Sequence, residues 1–327
     1  MAVKTYGAVV TQPGKAEFQE ITVPDPGPGD LLVEVVYSGI SMGTERWWFT
    51  GQRPDFPYPA IVGYQNVGYV AKVGKEVSGD WRVGERVALG TSRLEPPIAG
   101  TGAHVGHAVD AASKAVKIPD GVSLKEAAIH WLFAVGYRGV NMCELRDGDL
   151  VVCIGLGVIG QGFCQIARLR GAAVIGADLI DSRCDLARRY SCDEVVNPRR
   201  DDLKAAVLAR SPNGADIAVE AVGRTELIDQ CVDLVRPLGK IVWQGWYPGK
   251  AQFNFHPAHA KRVTMYFPCY LEGQDEVLRL IQEERLHAAP FVPRVLPAEQ
   301  CAEAYRIMVE QPESVMTMLL QWREEKQ

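Results

Sequence analysis

The chain writes its hydrophobic and polar positions in two different patterns. Up to about residue 120, short β-type runs such as LLVEVVYSGI, VGYVAKVG and ERVALG are separated by turn clusters such as PDPGPGD and VGKEVSGD, which predicts a compact, largely β domain. After KIPDGVSLKEAA, apolar runs alternate with amphipathic stretches of helical period, as in a parallel sheet with crossover helices. The strand candidates are DLVVCIG, AAVIGAD, DEVVNP, DIAVEAVG, KIVWQGW and RVTMYFPCY. Between successive members lie QGFCQIARLRG, DSRCDLARRY, DDLKAAVLARS and TELIDQCVDLV, and right-handed crossovers through them predict a doubly wound sheet. From about Leu271 the pattern changes again, to a helix (GQDEVLRLIQEERL), an extended piece (VPRVLP), a second helix (AEQCAEAYRIMVEQ) and a final strand (VMTMLLQW). This tail is expected to return to the first domain. No internal repeat or low-complexity stretch is visible.

Composition narrows the picture. The 327 residues suffice for two domains at roughly 150 residues each. With 47% hydrophobic and 23% charged residues and a mean hydropathy of -0.05, the chain reads as an ordinary globular protein. A formal charge of -5 and a pI near 5.8 provide no positive field for nucleic acid. No apolar run reaches the roughly 18 residues that span a bilayer, and the amino terminus lacks a secretory core, so a cytoplasmic location away from membranes is expected. All eight cysteines lie beyond residue 142 and never as CxxC, which fits reduced, mostly buried thiols.

The strongest local signal is DLVVCIGLGVIGQG, where Gly155, Gly157 and Gly160 form GxGxxG directly after a strand and at the start of a helix. The first glycine permits the tight turn, the second lets the backbone approach a pyrophosphate, and the third allows close packing of helix on strand. Val158 and Ile159 open that helix and belong to the same phosphate site. Asp178, eighteen residues past Gly160, ends the next strand. A carboxylate there accepts both ribose hydroxyls of NAD and repels the 2′-phosphate of NADP, so NAD is expected, with NADP the lesser alternative. Arg183 is assigned to the adenine face, or to a 2′-phosphate. Val222 and Gly245, at the ends of the fourth and fifth strand segments, complete the expected cofactor site.

DWRVGERVAL, KIPDGVSLKEAA and RDGDLVVCIGLGVIG together resemble the medium-chain dehydrogenase/reductase superfamily, over essentially the whole chain. The resemblance implies an α/β architecture. A GroES-like, mostly β catalytic domain would be built from residues 1–132 and 272–327, with a Rossmann domain of residues 133–271 inserted and a cleft where nicotinamide meets substrate. Family members are commonly dimers or tetramers, and the RVTMYFPCY edge is a plausible pairing strand. Zinc alcohol dehydrogenases of this family place Cys, His and a GHE triplet where this chain reads Ser41, Arg46, and Tyr64 with Gln65, and a Cys or Glu where it reads Trp131. The structural zinc lobe, which needs four Cys, is also missing. No zinc is therefore expected. His104, His107, His256 and His259 are read as solvated or capping residues, and His130, which abuts the cleft, as a hydrogen-bonded residue, rather than as replacement ligands.

Without zinc, the chemistry needs another way to hold the reacting oxygen, or a substrate already biased to accept hydride. The loop SGISMGTERWWFTG resembles the GISxGTE loop of a zinc-free branch whose bacteriochlorophyllide hydroxyethyl member oxidises a secondary alcohol with NAD. Ser41, Thr44, Glu45 and Tyr64 are the catalytic candidates: the Tyr phenol as donor to a developing oxyanion and Glu45 as base or hydroxyl anchor; the competing roles are backbone hydrogen bonding in the loop for Ser41 and Thr44, pairing with Arg46 or another basic group for Glu45, and core packing with a satisfied hydroxyl for Tyr64. Arg46, Trp47, Trp48, His130, Trp131 and Trp246 are the substrate-binding candidates, a set suited to a ring such as a sugar, a cyclitol or an aromatic carbinol, with core packing the competing role for each Trp. The leading expectation is a zinc-independent, NAD-dependent dehydrogenase of a secondary alcohol on a cyclic small molecule. The alternatives are a reductase of an activated C=C bond or quinone, and a dinucleotide-binding protein without turnover.

Overall fold

The computed structural model describes every residue except Met1, Pro248, Tyr270, Leu271, Pro293 and Gln327. Contacts divide the chain into two units, residues 1–130, 278–283 and 288–327 forming the first, and residues 131–277 with 284–287 the second. The expected seam at residue 271 and the last residue of the RVTMYFPCY segment, Tyr270, lie outside the described residues.

The first unit opens on an antiparallel hairpin of β1 (Val3–Gln12) and β2 (Lys15–Val23). β3 (Asp30–Ile40) follows, nearly continuously buried because both of its faces are covered. Next come α1 (Thr44–Phe49), β4 (Asn66–Val73), β5 (Arg86–Ala88), β6 (His107–Ala111) and β7 (Val116–Lys117). α2 (Leu124–Ala127) starts at Ser123, which forms a reciprocal capping box with Glu126, so both orphan N–H groups are met by side chains. α3 (His130–Met142) then leads into the second unit.

There the chain alternates strand and helix: β8 (Leu150–Ile154), α4 (Val158–Leu169), β9 (Ala173–Ala177), α5 (Asp181–Tyr190), β10 (Glu194–Val196), α6 (Leu203–Arg210), β11 (Ala215–Glu220), α7 (Glu226–Leu234), β12 (Val235–Trp243), α8 (Phe255–Lys261) and β13 (Thr264–Tyr266). The strands form one parallel sheet in the order β10-β9-β8-β11-β12-β13. This is the doubly wound Rossmann arrangement that the alternating pattern predicts. Two helices add to that pattern: α3 starts just past the KIPDGVSLKEAA segment, and α8 falls on the HPAHAKR stretch, to which the pattern assigns no helix.

After α9 (Gln274–Gln282), β14 (Arg294–Pro297), α10 (Cys301–Glu310) and β15 (Met318–Gln321) belong to the first unit. β15 lies between β14 and β3, pairing antiparallel with β3 from Met318 opposite Ile40 to Gln321 opposite Tyr37. The resulting seven-stranded sheet, with β6 also on β3, is the GroES-like domain. α10 packs on β2 and α1, burying Ala304, Tyr305, Ile307 and Met308 in a core shared with Trp48, Phe49 and Leu320. All eight cysteines are free thiols, and Cys269 is the exposed one. No described helix is long and apolar enough to cross a membrane. Leu320→Ala should cost about 2–5 kcal/mol by urea unfolding, because the side chain is fully buried where the carboxyl-terminal strand joins the sheet.

Candidate functional site

In the second unit, the glycine loop has the geometry its sequence implies. Gly155 has φ +99, and a Cβ there would lie 2.7 Å from Val222 Cγ2, so only glycine makes this turn. A Cβ on Gly160 would lie 2.0 Å from the Gly155 carbonyl oxygen, which explains why helix and loop can close on each other. Nothing stands within 4 Å of a Cβ on Gly157, the residue that precedes α4 and supplies no side-chain cap. A helix start of this kind carries the positive end of the helix dipole and unbonded first-turn N–H groups, the features that suit a pyrophosphate. Val158 itself is buried and Ile159 half-buried.

Asp178 follows β9 and ties this loop down. Its Oδ2 accepts from the Leu156 N–H at 2.8 Å and its Oδ1 from the Ile180 N–H at 3.0 Å. Arg183 Nη1 stands 3.8 Å from Asp178 Oδ2, so the two residues form one partly buried pair at the ribose end of the site. Val222 is 49% exposed at the tip of the loop after β11, and Gly245 lies just beyond β12. These residues fit a dinucleotide.

In the first unit, the segment from Ser41 to Phe49 turns into α1 around a fully buried carboxylate. Glu45 Oε1 accepts from the Ser41 N–H at 2.8 Å, and Oε2 stands 2.8 Å from His104 Nε2 and accepts from the Tyr305 hydroxyl at 3.1 Å. His104 Nδ1 is 2.7 Å from Ser38 Oγ, which also accepts the Trp322 indole N–H at 2.9 Å. A neutral ring protonated on Nε2 satisfies every link: Ser38 donates to Nδ1, and Nε2 donates to Glu45. A Cβ on Gly63, at φ +86, would lie 2.4 Å from His104 Nε2, so glycine there makes room for the ring.

This placement corrects two expectations. Glu45 is not a base facing substrate, because it has no exposure and both its oxygens are engaged. Nor is His104 solvated, since it is the buried partner of that carboxylate. No sequence signal joins them, as they stand 59 residues apart and Tyr305 stands 260 from Glu45.

Above this network, the Tyr64 hydroxyl donates to Ser41 Oγ at 2.7 Å. Burial pushes the Tyr64 phenol up to about 12, aided by the Glu45 charge, while bonds with Ser41 and Thr44 act the other way. The phenol therefore keeps its proton at neutral pH. Ser41 is buried, whereas Thr44 and Tyr64 remain half-exposed.

Residues 27–120 match the model of the alcohol dehydrogenase GroES-like domain, and residues 158–283 match that of the zinc-binding dehydrogenases. The 2-desacetyl-2-hydroxyethyl bacteriochlorophyllide A dehydrogenase of Cereibacter sphaeroides is 30% identical over 98% of this chain and 99% of its own. The chain belongs to the medium-chain dehydrogenase/reductase family. The L-galactonate-5-dehydrogenase of Escherichia coli K12 is 26% identical over 91% of this chain and 93% of its own. Among solved structures, an alcohol dehydrogenase of Escherichia coli CFT073 complexed with NADH superposes with a TM-score of 0.86, at 20% identity over 97% of this chain and 99% of that one. This medium-chain dehydrogenase is accordingly an NAD(P)-dependent oxidoreductase.

The zinc positions of the family can be judged by their donors. Ser41 gives its oxygen to Tyr64, the Tyr64 phenol is protonated, and Arg46 is an exposed cation. Gln65, fully buried, donates Nε2 to the Gly39 carbonyl at 3.3 Å, while its Oε1 has no hydrogen-bond partner among the described residues. Zinc takes thiolate, imidazole or carboxylate, and this set offers none of them. Among the described residues, no group of three or more His, Cys, Asp or Glu is placed to hold a metal ion.

The aromatic candidates separate. Trp48 is 6% exposed and stacks on Phe56 at 5.5 Å, so its indole packs the core and is not a surface for a ring. Trp131 is likewise buried. Trp47 is half-buried, and Trp246 is 42% exposed. His130 is fully buried with Nδ1 2.6 Å from the Ala127 carbonyl, and burial lowers it to about 4, so it is neutral at physiological pH. His107 Nδ1 is 3.0 Å from Thr5 Oγ1, and His256 and His259 are exposed on α8.

Truncating His104 to Ala strands the Glu45 carboxylate. A loss of about 3–5 kcal/mol is expected by urea unfolding, and Glu45→Gln combined with His104→Ala should recover part of it in a double-mutant cycle.

Proposed function

We propose that this dehydrogenase oxidises a secondary alcohol on a cyclic substrate, using NAD and no zinc. The observation behind this reading is the Tyr64–Ser41 hydroxyl pair, with Thr44 beside it, at the positions where the family's zinc enzymes keep metal ligands. Bound NAD supplies the hydride acceptor; the overall change is alcohol and NAD to ketone, NADH and a proton. The two hydroxyls between them hold one hydrogen more than their mutual bond uses, and that hydrogen is offered to the substrate oxygen. When a ketone is reduced, Ser41 passes that hydrogen to the substrate oxygen and takes the Tyr64 proton in its place, so the phenol is the proton source. When an alcohol is oxidised, the pair must first release a proton, so the oxidation runs against the raised phenol.

Ring recognition is assigned to the half-buried Trp47, with Arg46 as a polar anchor. The hydroxyethyl macrocycle in the name of the Cereibacter relative supports a secondary carbinol next to a ring. NAD preference is assigned to Asp178, whose charge disfavours a 2′-phosphate.

The test is NADH formation by chelator-treated enzyme offered NAD and a panel of secondary alcohols, sugars, cyclitols and aromatic carbinols. Turnover without zinc is the expected result; a full equivalent of zinc needed for activity would sink the metal-free reading. Silence across the panel with NADH binding intact would favour reduction of an activated double bond or quinone. Tyr64→Phe should lower kcat about 100-fold or more and leave NADH binding unchanged. For the unmodified protein, kcat/KM for oxidation should rise with pH through the alkaline range as the phenol approaches its ionisation near 12, and the rise should vanish in Tyr64→Phe. Asp178→Ser with Ile180→Arg should improve NADP relative to NAD, and an unchanged ratio would remove Asp178 from the ribose.

A further inference from the structure

The sheet order reverses between β8 and β11: β9 and β10 extend to one side, β12 and β13 to the other. In open parallel sheets, the ligand crevice lies beyond the carboxyl ends of the strands at such a reversal. β8 runs there into the glycine loop, and β11 ends there on Glu220, a carboxylate with no exposure.

Glu220 is surrounded by donors. Its Oε1 accepts from the N–H groups of Val222 and Gly223 at 3.0 Å and of Arg224 at 3.3 Å, and its Oε2 accepts from the Gly223 N–H at 3.0 Å. The Tyr247 phenol also donates to Oε2. Burial and the Glu220 charge push that phenol far up, so it stays a donor. The Glu220 main-chain carbonyl takes the Gln244 and Gly245 N–H groups at 2.8 and 2.9 Å. One residue thus binds two loops, 221–224 and 244–247.

Glycines let the loops interleave. Gly223 has φ +84, and a Cβ on it would lie 2.7 Å from the Trp246 carbonyl oxygen. A Cβ on Gly245 would lie 2.5 Å from the Gly223 nitrogen and 2.7 Å from Glu220 Oε2. At the surface of this assembly stand two large apolar side chains, Val222 at 49% and Trp246 at 42% exposure, and Val222 borders Gly155 of the phosphate loop. Fixing loops so firmly while leaving their apolar tips in water is the arrangement of a preformed wall for a flat ligand.

We propose that Glu220 and Tyr247 are a positioning pair that holds loops 221–224 and 244–247 in the shape that receives the nicotinamide half of the dinucleotide, with Val222 and Trp246 as its apolar contacts. Neither residue touches the cofactor; each acts through the loops. The proposal rests on the dinucleotide reading of the glycine loop, and it separates the two halves of the ligand: phosphate and adenosine recognition belongs to Gly155–Gly160 and Asp178, nicotinamide recognition to the pair.

The experiment measures dissociation constants of NADH, by its fluorescence, and of ADP, by calorimetry, for the unmodified protein, Glu220→Gln and Tyr247→Phe. Glu220→Gln places an amide donor against N–H groups and should weaken NADH about 10- to 100-fold, while ADP binding stays within about twofold. Tyr247→Phe removes a single donor and should weaken NADH about 3- to 10-fold, again sparing ADP. Unchanged NADH affinity in both variants overturns the pair and leaves the dinucleotide reading intact. An equal loss of NADH and ADP in Tyr247→Phe also overturns it, since the pair would then support the whole unit. Failure of the unmodified protein to bind either ligand would instead refute the dinucleotide reading itself.

Discussion

The Glu45 carboxylate is the constraint around which the first unit is organised. Removing such a charge from water costs several kcal/mol unless donors converge on it, and here the Ser41 amide comes from the same turn while the His104 ring and the Tyr305 hydroxyl arrive from distant parts of the chain. Because the Ser41 backbone is one of those donors, the serine that accepts from Tyr64 is fixed by the same charge. Trp322 extends the network to Ser38, so the carboxyl-terminal segment is tied to β3 by a polar contact as well as by strand pairing. Packing follows the same lines, with Phe49 and Tyr305 stacked at 4.8 Å.

Carboxylates bound to main-chain N–H groups are also the device of the second unit. Asp178 holds Leu156 and Ile180, Asp216 holds Leu150, Asp193 holds Val174, and Glu220 holds the loop from Val222 to Arg224. Charge-assisted bonds of this kind are stronger than neutral ones and have few degrees of freedom. They sit at strand ends and in the turns between strands and helices, where loops would otherwise be the mobile part of a doubly wound sheet. A cofactor read largely by backbone groups needs that rigidity.

Much of the second unit was legible in the residues. Strand and helix alternate with periods that local sterics impose, and the α5 helix covers the DSRCDLARRY segment from end to end. The glycines of the phosphate loop could be assigned individual roles because each role is a local steric demand. α8 carries no helical signal because its sequence has no apolar stripe: His256, His259 and Lys261 are polar, Pro257 stands in its first turn, and Ala258 is its buried residue. The choice between Glu45 as base and Glu45 as buried partner was not legible.

The sequence by itself determined the two domain types and the dinucleotide loop, because these depend on periodicity and on glycine sterics. Only the tertiary structure decided which polar side chains face one another. His104 and Tyr305 reach Glu45, and Tyr247 reaches Glu220, across separations that carry no periodic or spacing signal. A buried charge finds its partners in space, after the strands and helices have been packed, and for that reason the residues holding both loops in place could be recognised only in the folded chain.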